Sequence, residues 1–269
     1  IYILLIFSLI YFLNIFRFIV GLSKKPKKII NNNLLTPCSV IVAVKNGENS
    51  IYQMLNQLLN QNYNGDMEFI IADDKSTDNT AKIIKDFMLK DNRVQYVSSD
   101  QGNTGLSHKK KALDVAIQHA KYDHLLFTDV DCTIHLNWVK SMVNCFTEDV
   151  DYIIGHAYVK DRQSILNKFQ RIDLLMLLFA ARSMAYLGKP WACIGQNQAY
   201  TKKIYKKLGG FQNIAKYLQG DDTLFLQMAV KQGANVIFNN DPQSYVISRT
   251  ELNWKNFFLQ RARWSGDAN

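Results

Sequence analysis

A chain of 269 residues with 48% hydrophobic side chains and a net charge of +9 can bury a substantial core as one large or two small domains. Its four cysteines, Cys38, Cys132, Cys145 and Cys193, lack metal-type spacing and read as plain thiols of a reducing compartment. Basic residues are not interleaved with aromatics in a stripe, so nucleic acid is not the expected partner. The positive excess suits an anionic lipid surface and a phosphorylated substrate.

Residues 1–22, "IYILLIFSLIYFLNIFRFIVGL", carry one charge, Arg17. At ~1.5 Å per residue such a helix spans the ~30 Å of a bilayer's hydrocarbon. Lys24, Lys25, Lys27 and Lys28 follow directly, which places that flank and all that succeeds it in the cytoplasm. Arg17 lies near the same end and can snorkel toward headgroups. A cleaved signal peptide would need a basic front end and a small-residue cleavage site, and neither is visible. A buried core helix is the competing reading. The first residue is not methionine and "SGDAN" closes nothing, so the chain is expected to be a fragment, and more membrane helices could lie beyond residue 269.

After a polar linker over 23–36 the pattern alternates. Apolar strand runs at 38–44, 68–72, 94–97 and 124–128 are separated by helical stretches at 48–61, 78–90 and 107–120. Strands apolar throughout, interleaved with helices of ten or more residues, predict a mostly parallel sheet covered on both faces, with ligands beyond the strands' carboxyl ends. A further strand is predicted over 151–159 and a long helix over 164–187. Lys168, Arg171, Asp173 and Arg182 make that helix a poor membrane span, which leaves an interfacial helix or a buried one. Residues 252–264 have the same amphipathic, aromatic and basic character.

Four places carry chemistry. In "IIADDKSTDNT" (70–80), helix capping accounts for Asp78 but gives Asp73 and Asp74 no structural reason; either could accept a bond from a base or ribose. Lys109, Lys110 and Lys111 open a helix, where one ammonium joined with free backbone N–H groups makes an anion site and the other two are expected in solvent. "TDVD" ends an apolar strand, and Asp129 and Asp131 at i, i+2 can turn toward one Mg²⁺ or Mn²⁺, which takes one or two carboxylates plus substrate phosphates. The last place pairs "GDD" with "QRARW". One of Asp221 and Asp222 is expected to cap a helix, leaving the other as a general base. Gln260, Arg261 and Arg263 could hold a pyrophosphate and Trp264 could stack on a sugar, although an ordinary basic helix end explains them as well.

The ordered set "SVIVAVKNGENS", "DDKSTDNT", "KKKALD", "TDVD", "GDD" and "QRARW" resembles the family 2 glycosyltransferases. These are membrane-linked inverting enzymes that include cellulose, chitin and hyaluronan synthases and ceramide glucosyltransferases. The resemblance covers roughly residues 37–264. It implies an α/β GT-A fold, Rossmann-like, behind an N-terminal transmembrane helix at 1–22, with a nucleotide-sugar half over 37–160 and an acceptor half over 161–269. Ala43, Val44 and Glu48 would then line the nucleotide pocket. One of Asp73 and Asp74 would contact uracil or ribose, and Lys109 would lie near the diphosphate. Asp129 and Asp131 would hold the metal, Asp222 would be the base, and Gln260, Arg261, Arg263 and Trp264 would face acceptor and diphosphate. Residues 193–211 resemble the family's acceptor-side loop. The implied partners are a nucleotide-sugar donor, a UDP-sugar in many such enzymes, a lipid or glycan acceptor and the inner or plasma membrane. Two positions depart from the family: Asp221 replaces the usual glutamate, and Lys75 stands where glycine is common. A sugar-phosphate nucleotidyltransferase is a rival, although its glycine-rich first loop is poorly matched by "KNGENS". A non-catalytic, membrane-tethered sugar-nucleotide binder is another.

Overall fold

A computed structural model describes residues 2–24 and 35–265, so most of the predicted linker lies outside the described residues. Helix α1 (Tyr2–Ser23) has a mean hydropathy of 2.4 and turns almost all of its side chains outward. Among the described helices it alone is long and apolar enough to cross a membrane. Its end packs on the later helix Ile165–Tyr186, where Ser183 donates a 3.0 Å hydrogen bond to the Phe18 carbonyl. A Cβ at Gly21 would lie 2.0 Å from Ser183 Oγ, so the helices approach this closely only through glycine.

The domain then alternates β1 (Cys38–Val44), α2 (Glu48–Leu59), β2 (Met67–Asp73), α3 (Thr80–Met88), β3 (Val94–Ser98), α4 (His108–His119) and β4 (His124–Phe127). A short β5 (Thr133–Ile134) and α5 (Trp138–Val143) follow, then β6 (Tyr152–Ile154), β7 (Ala157–Val159) and α6 (Ile165–Tyr186). The chain continues through β8 (Gln198–Thr201), α7 (Lys202–Lys207), α8 (Thr223–Lys231), β9 (Val236–Phe238), β10 (Val246–Ser248) and α9 (Trp254–Ser265).

Seven strands form the main sheet in the order β3-β2-β1-β4-β8-β6-β9. β3, β2, β1 and β4 are parallel, whereas β8 runs antiparallel to both its neighbours. β1 and β2 are almost wholly buried, as their unbroken apolar runs require. Ile51, Met54, Leu55 and Trp138 fill one face of the sheet. Leu113, Ala116, Tyr205 and Phe225 fill the other. The chain leaves β1 toward β2 and β3 on one side and returns as β4 on the other. This reversal opens a crevice at the carboxyl ends of β1 and β4.

The strand predicted over 151–159 is two strands in different sheets. A Cβ at Gly155 would lie 2.3–2.6 Å from the Asn197 amide, so the chain must bend there to admit that side chain. Asn197 Nδ2 donates to the carbonyls of His156 (2.8 Å) and Ser244 (2.7 Å), while its Oδ1 accepts from Trp138 Nε1 (3.1 Å). β7 joins a second sheet of order β5-β10-β7, which ties the segment after "TDVD" to residues 246–248.

Helix α6 has one buried face and one exposed apolar face. Leu166, Gln170, Leu174, Leu178 and Ala181 are buried, while Ile165, Phe169, Ile172 and Met176 form an exposed apolar stripe at helical spacing. α9 packs beside it, with the Phe169 ring centroid 5.7 Å from that of Trp254 and 5.6 Å from that of Phe257.

Candidate active site

The loops after β1 and β2 clasp one another. Backbone N–H groups of Asn46, Gly47 and Glu48 donate to Ser76 Oγ (2.8 Å), Thr80 Oγ1 (2.8 Å) and Asp78 Oδ2 (3.1 Å). Glu48 returns the contact, its carboxylate accepting from Asn79 N (3.1 Å) and Asn79 Nδ2 (3.0 Å). Val44 at the end of β1 is buried, and its carbonyl accepts from Asp74 N at 2.8 Å; Ala43 beside it is half-buried.

The structure supplies the reason that sequence did not give for Asp73. Its buried carboxylate accepts from Ser76 N (2.9 Å) and the Tyr96 hydroxyl (3.0 Å), fixing the turn after β2. Asp74 accepts from Ser99 Oγ at 3.1 Å and stands 3.8 Å from Lys45 Nζ. Lys75 sits at φ +58°, the left-handed region that explains why glycine suits this turn. Asn46 and His108, both at φ +51°, bend the chain after β1 and before Lys109.

Across the crevice, α4 brings two acidic segments together. Lys109 Nζ donates to Asp129 Oδ1 at 2.8 Å and lies 3.5 Å from Asp221 Oδ2. One ammonium thus spans the end of β4 and the start of α8. Burial works against that charge, but Asp129, Asp221 and Asp222 outweigh it and hold the Lys109 pKa well above the usual lysine value. Asp131 is pushed upward by burial and by Asp129, with Arg249 and Lys109 opposing. Val130 between the two aspartates packs against the core.

Asp222 caps α8. Its Oδ1 accepts from Thr223 N and its Oδ2 from Gly195 N at 3.0 Å. Burial and the neighbouring Asp221 raise its pKa to about 6. Of the two lysines expected in solvent, Lys110 is buried instead: its ammonium donates to the carbonyls of Ile214 (3.0 Å), Tyr217 and Gln219 (3.0 Å).

The "QRARW" residues sit on α9, and Arg261 reaches α6. Arg261 Nε donates to Asp173 Oδ2 (2.6 Å), Arg261 Nη1 to Gln260 Oε1 (2.7 Å), and Gln260 Nε2 to Glu251 Oε1 (3.1 Å). The Arg261 guanidinium also lies 4.0 Å from the Trp264 ring centroid, and Arg263 is exposed. Among the described residues, no hydrogen bond or ion pair joins these four side chains to Asp129, Asp131, Asp221, Asp222 or Lys109.

Among the described residues, no three His, Cys, Asp or Glu side chains gather into a metal cage. Asp129 and Asp131 still fit a hard divalent ion, which completes its shell with phosphate oxygens and water. Sequence reasoning missed Gly195, Tyr96 and Arg249, whose partners are remote in the chain and leave no local pattern.

Comparison with known proteins fits this geometry. The profile of Glycosyl transferase family 2 matches residues 39–209. Poly-beta-1,6-N-acetyl-D-glucosamine synthase of Staphylococcus aureus is 30% identical over 160 residues, which is 59% of this chain and 37% of that protein. Probable glycosyltransferase YdaM of Bacillus subtilis is 26% identical over 245 residues, 89% of this chain and 57% of that protein. The chain therefore spans between about a third and just over half the length of these relatives. A mannosyltransferase from Pyrobaculum calidifontis, solved with GDP-Man and Mn²⁺, superposes with a TM-score of 0.72 at 19% identity, covering 94% of this chain and 68% of that one. TarS of S. aureus (residues 1–349), solved with UDP-GlcNAc, gives a TM-score of 0.55 at 20% identity, covering 81% and 60%.

Proposed function

The chain belongs to glycosyltransferase family 2 and has the family's GT-A fold, and from that premise we propose that it moves a sugar from a UDP-sugar to a hydroxyl of a lipid or glycan, inverting the anomeric centre. One observation carries this reading: Lys109 draws Asp129, at the end of β4, and Asp221, at the start of α8, to a single cation beside the switch point of the sheet. A donor diphosphate at Asp129 and Asp131 would then lie next to the buried carboxylate that would serve as base, Asp222.

Each residue has a task. Asp129 and Asp131 would hold Mg²⁺ or Mn²⁺, which when bound supplies positive charge to the departing diphosphate. Lys109 keeps the two acidic segments together. Asp222 accepts the acceptor hydroxyl's proton, a role suited to a pKa of about 6, close to neutrality. Glu48, Asp73 and Asp74 shape the nucleotide side through the loops they brace. The nucleotidyltransferase alternative loses ground because the amides after β1 already serve Ser76, Thr80 and Asp78 and are not open to cradle a phosphate.

α1 anchors the domain on the cytoplasmic face of the membrane, with the exposed apolar stripe of α6 and the adjoining Trp254, Phe258 and Leu259 of α9 resting in its surface. That placement sets the crevice within reach of a membrane-held acceptor. The test is release of UDP from UDP-sugars by membranes carrying the chain, with Mn²⁺ present. Asp222→Asn should retain UDP binding while transfer falls on the order of 10²–10⁴-fold. Undiminished transfer by the variant would remove Asp222 from the chemistry. Wild-type membranes that neither bind nor cleave any such donor would overturn the reading.

A further inference from the structure

Arg249 follows β10 and belongs to none of the motifs recognised in the sequence. β10 pairs antiparallel with β5 in the register Val246↔Ile134 and Ile247↔Thr133. Arg249 lies two residues beyond Ile247 in this pairing, on the chain that runs alongside the segment following Asp131. The guanidinium is held from the other side as well, since Arg249 Nη2 donates to Ser50 Oγ at 2.6 Å. Ser50 is buried in the first turn of α2, directly after the β1 loop. Arg249 thus follows a strand paired with the segment after Asp131 and bonds the amino end of α2, beside the crevice.

The remaining charges sharpen its position. Arg249 is exposed, and its bond to Ser50 leaves most of a five-donor fork without a described hydrogen-bond partner. Lys109 is committed to Asp129 and Asp221 on the α4 side. Arg261 is committed to Asp173 on α6. Of these three cations, Arg249 alone stands at the crevice with donors to offer.

We propose that Arg249 is a donor-binding residue that grips the diphosphate of the nucleotide sugar, with Ser50 as the latch that aims its fork. This rests on the glycosyltransferase reading of the same crevice and adds a contact to it. A guanidinium matches phosphate oxygens bidentately, which an ammonium does not.

Calorimetry of the purified full chain with Mn²⁺ tests it, using UDP and GDP and, for whichever one the wild type takes, the corresponding nucleoside. Arg249→Gln should weaken the diphosphate on the order of tenfold or more while leaving the nucleoside unchanged. Arg249→Lys should recover only part of that loss, and Ser50→Ala should give a smaller one. A structural role would instead lower the melting midpoint and weaken nucleoside and diphosphate together. That result, or wild-type diphosphate affinity in Arg249→Gln, overturns the proposal and leaves the glycosyltransferase reading standing. A wild type that binds neither diphosphate overturns both.

Discussion

Replacing Lys110 by methionine tests how the acidic pair is held in place. Lys110 is 1% exposed, and its ammonium serves three carbonyls of the segment just before Asp221 and Asp222. Methionine keeps the length and apolar stem but donates nothing. Charge-assisted bonds contribute ~1.5–3 kcal/mol each in net terms, so two of the three at the lower bound put the loss at about 3 kcal/mol. That is a large share of the ~5–15 kcal/mol that holds a typical domain together. The loss should also be local. About 3 kcal/mol corresponds to roughly a hundredfold in an opening equilibrium, so amides of 214–222 should exchange with solvent on the order of a hundredfold faster. Urea midpoints followed by tryptophan fluorescence give the global figure, and hydrogen exchange gives the local one. A variant that loses less than ~1 kcal/mol, with exchange in 214–222 unchanged, would refute the claim that Lys110 fixes this segment.

Three further outcomes follow from the same geometry. Asp129→Ala should abolish Mn²⁺-dependent binding of UDP, read by calorimetry with and without the ion, because Asp131 alone is left facing the metal. Transfer should fall as pH drops through about 6, since Asp222 must be ionised to accept a proton, and the residual activity of Asp222→Asn should lack that inflection. The linkage sign is opposite to that of a salt-bridged carboxylate: a pKa raised on folding favours the protonated protein, so this group's contribution to stability is lost as pH rises through about 6. Gly155→Ala places a methyl group 2.3 Å from Asn197 Cγ and should cost ~1–3 kcal/mol by overpacking, measured as a lower thermal midpoint.

The half of the fold from β1 to β4 was legible because its strands are buried on both faces and read as continuous apolar runs. The second half was not. β6, β7, β9 and β10 have three residues each, too few to show a period, and the break at Gly155 depends on Asn197, 42 positions away in sequence. Asp129, Asp131, Asp221 and Asp222 could be read as a chemical set because their ordered spacing at a strand end and a helix start matches the family's motifs, even though Asp222 also caps α8. Asp73 has a structural use, but its partner Tyr96 lies on a neighbouring strand and nothing local announced it. Arg261 likewise has a partner that nothing local announces. Its motif speaks of a diphosphate, while the structure gives the guanidinium to Asp173, 88 residues earlier.

The run "HKKKAL" shows how sharply neighbouring side chains can differ. Successive residues of a helix point about 100° apart, since 3.6 of them complete a turn. Lys109 therefore enters the crevice while Lys110, one step on, enters the protein beneath the 214–219 loop. Both grip the same segment, Lys110 by its carbonyls and Lys109 by the Asp221 carboxylate that follows. The position of the acid pair relative to Asp129 is thus set by α4, an element that supplies no carboxylate to the cluster. A change that tilts α4, even one remote from the crevice, should separate Asp129 from Asp221 before it unfolds either strand or helix around them.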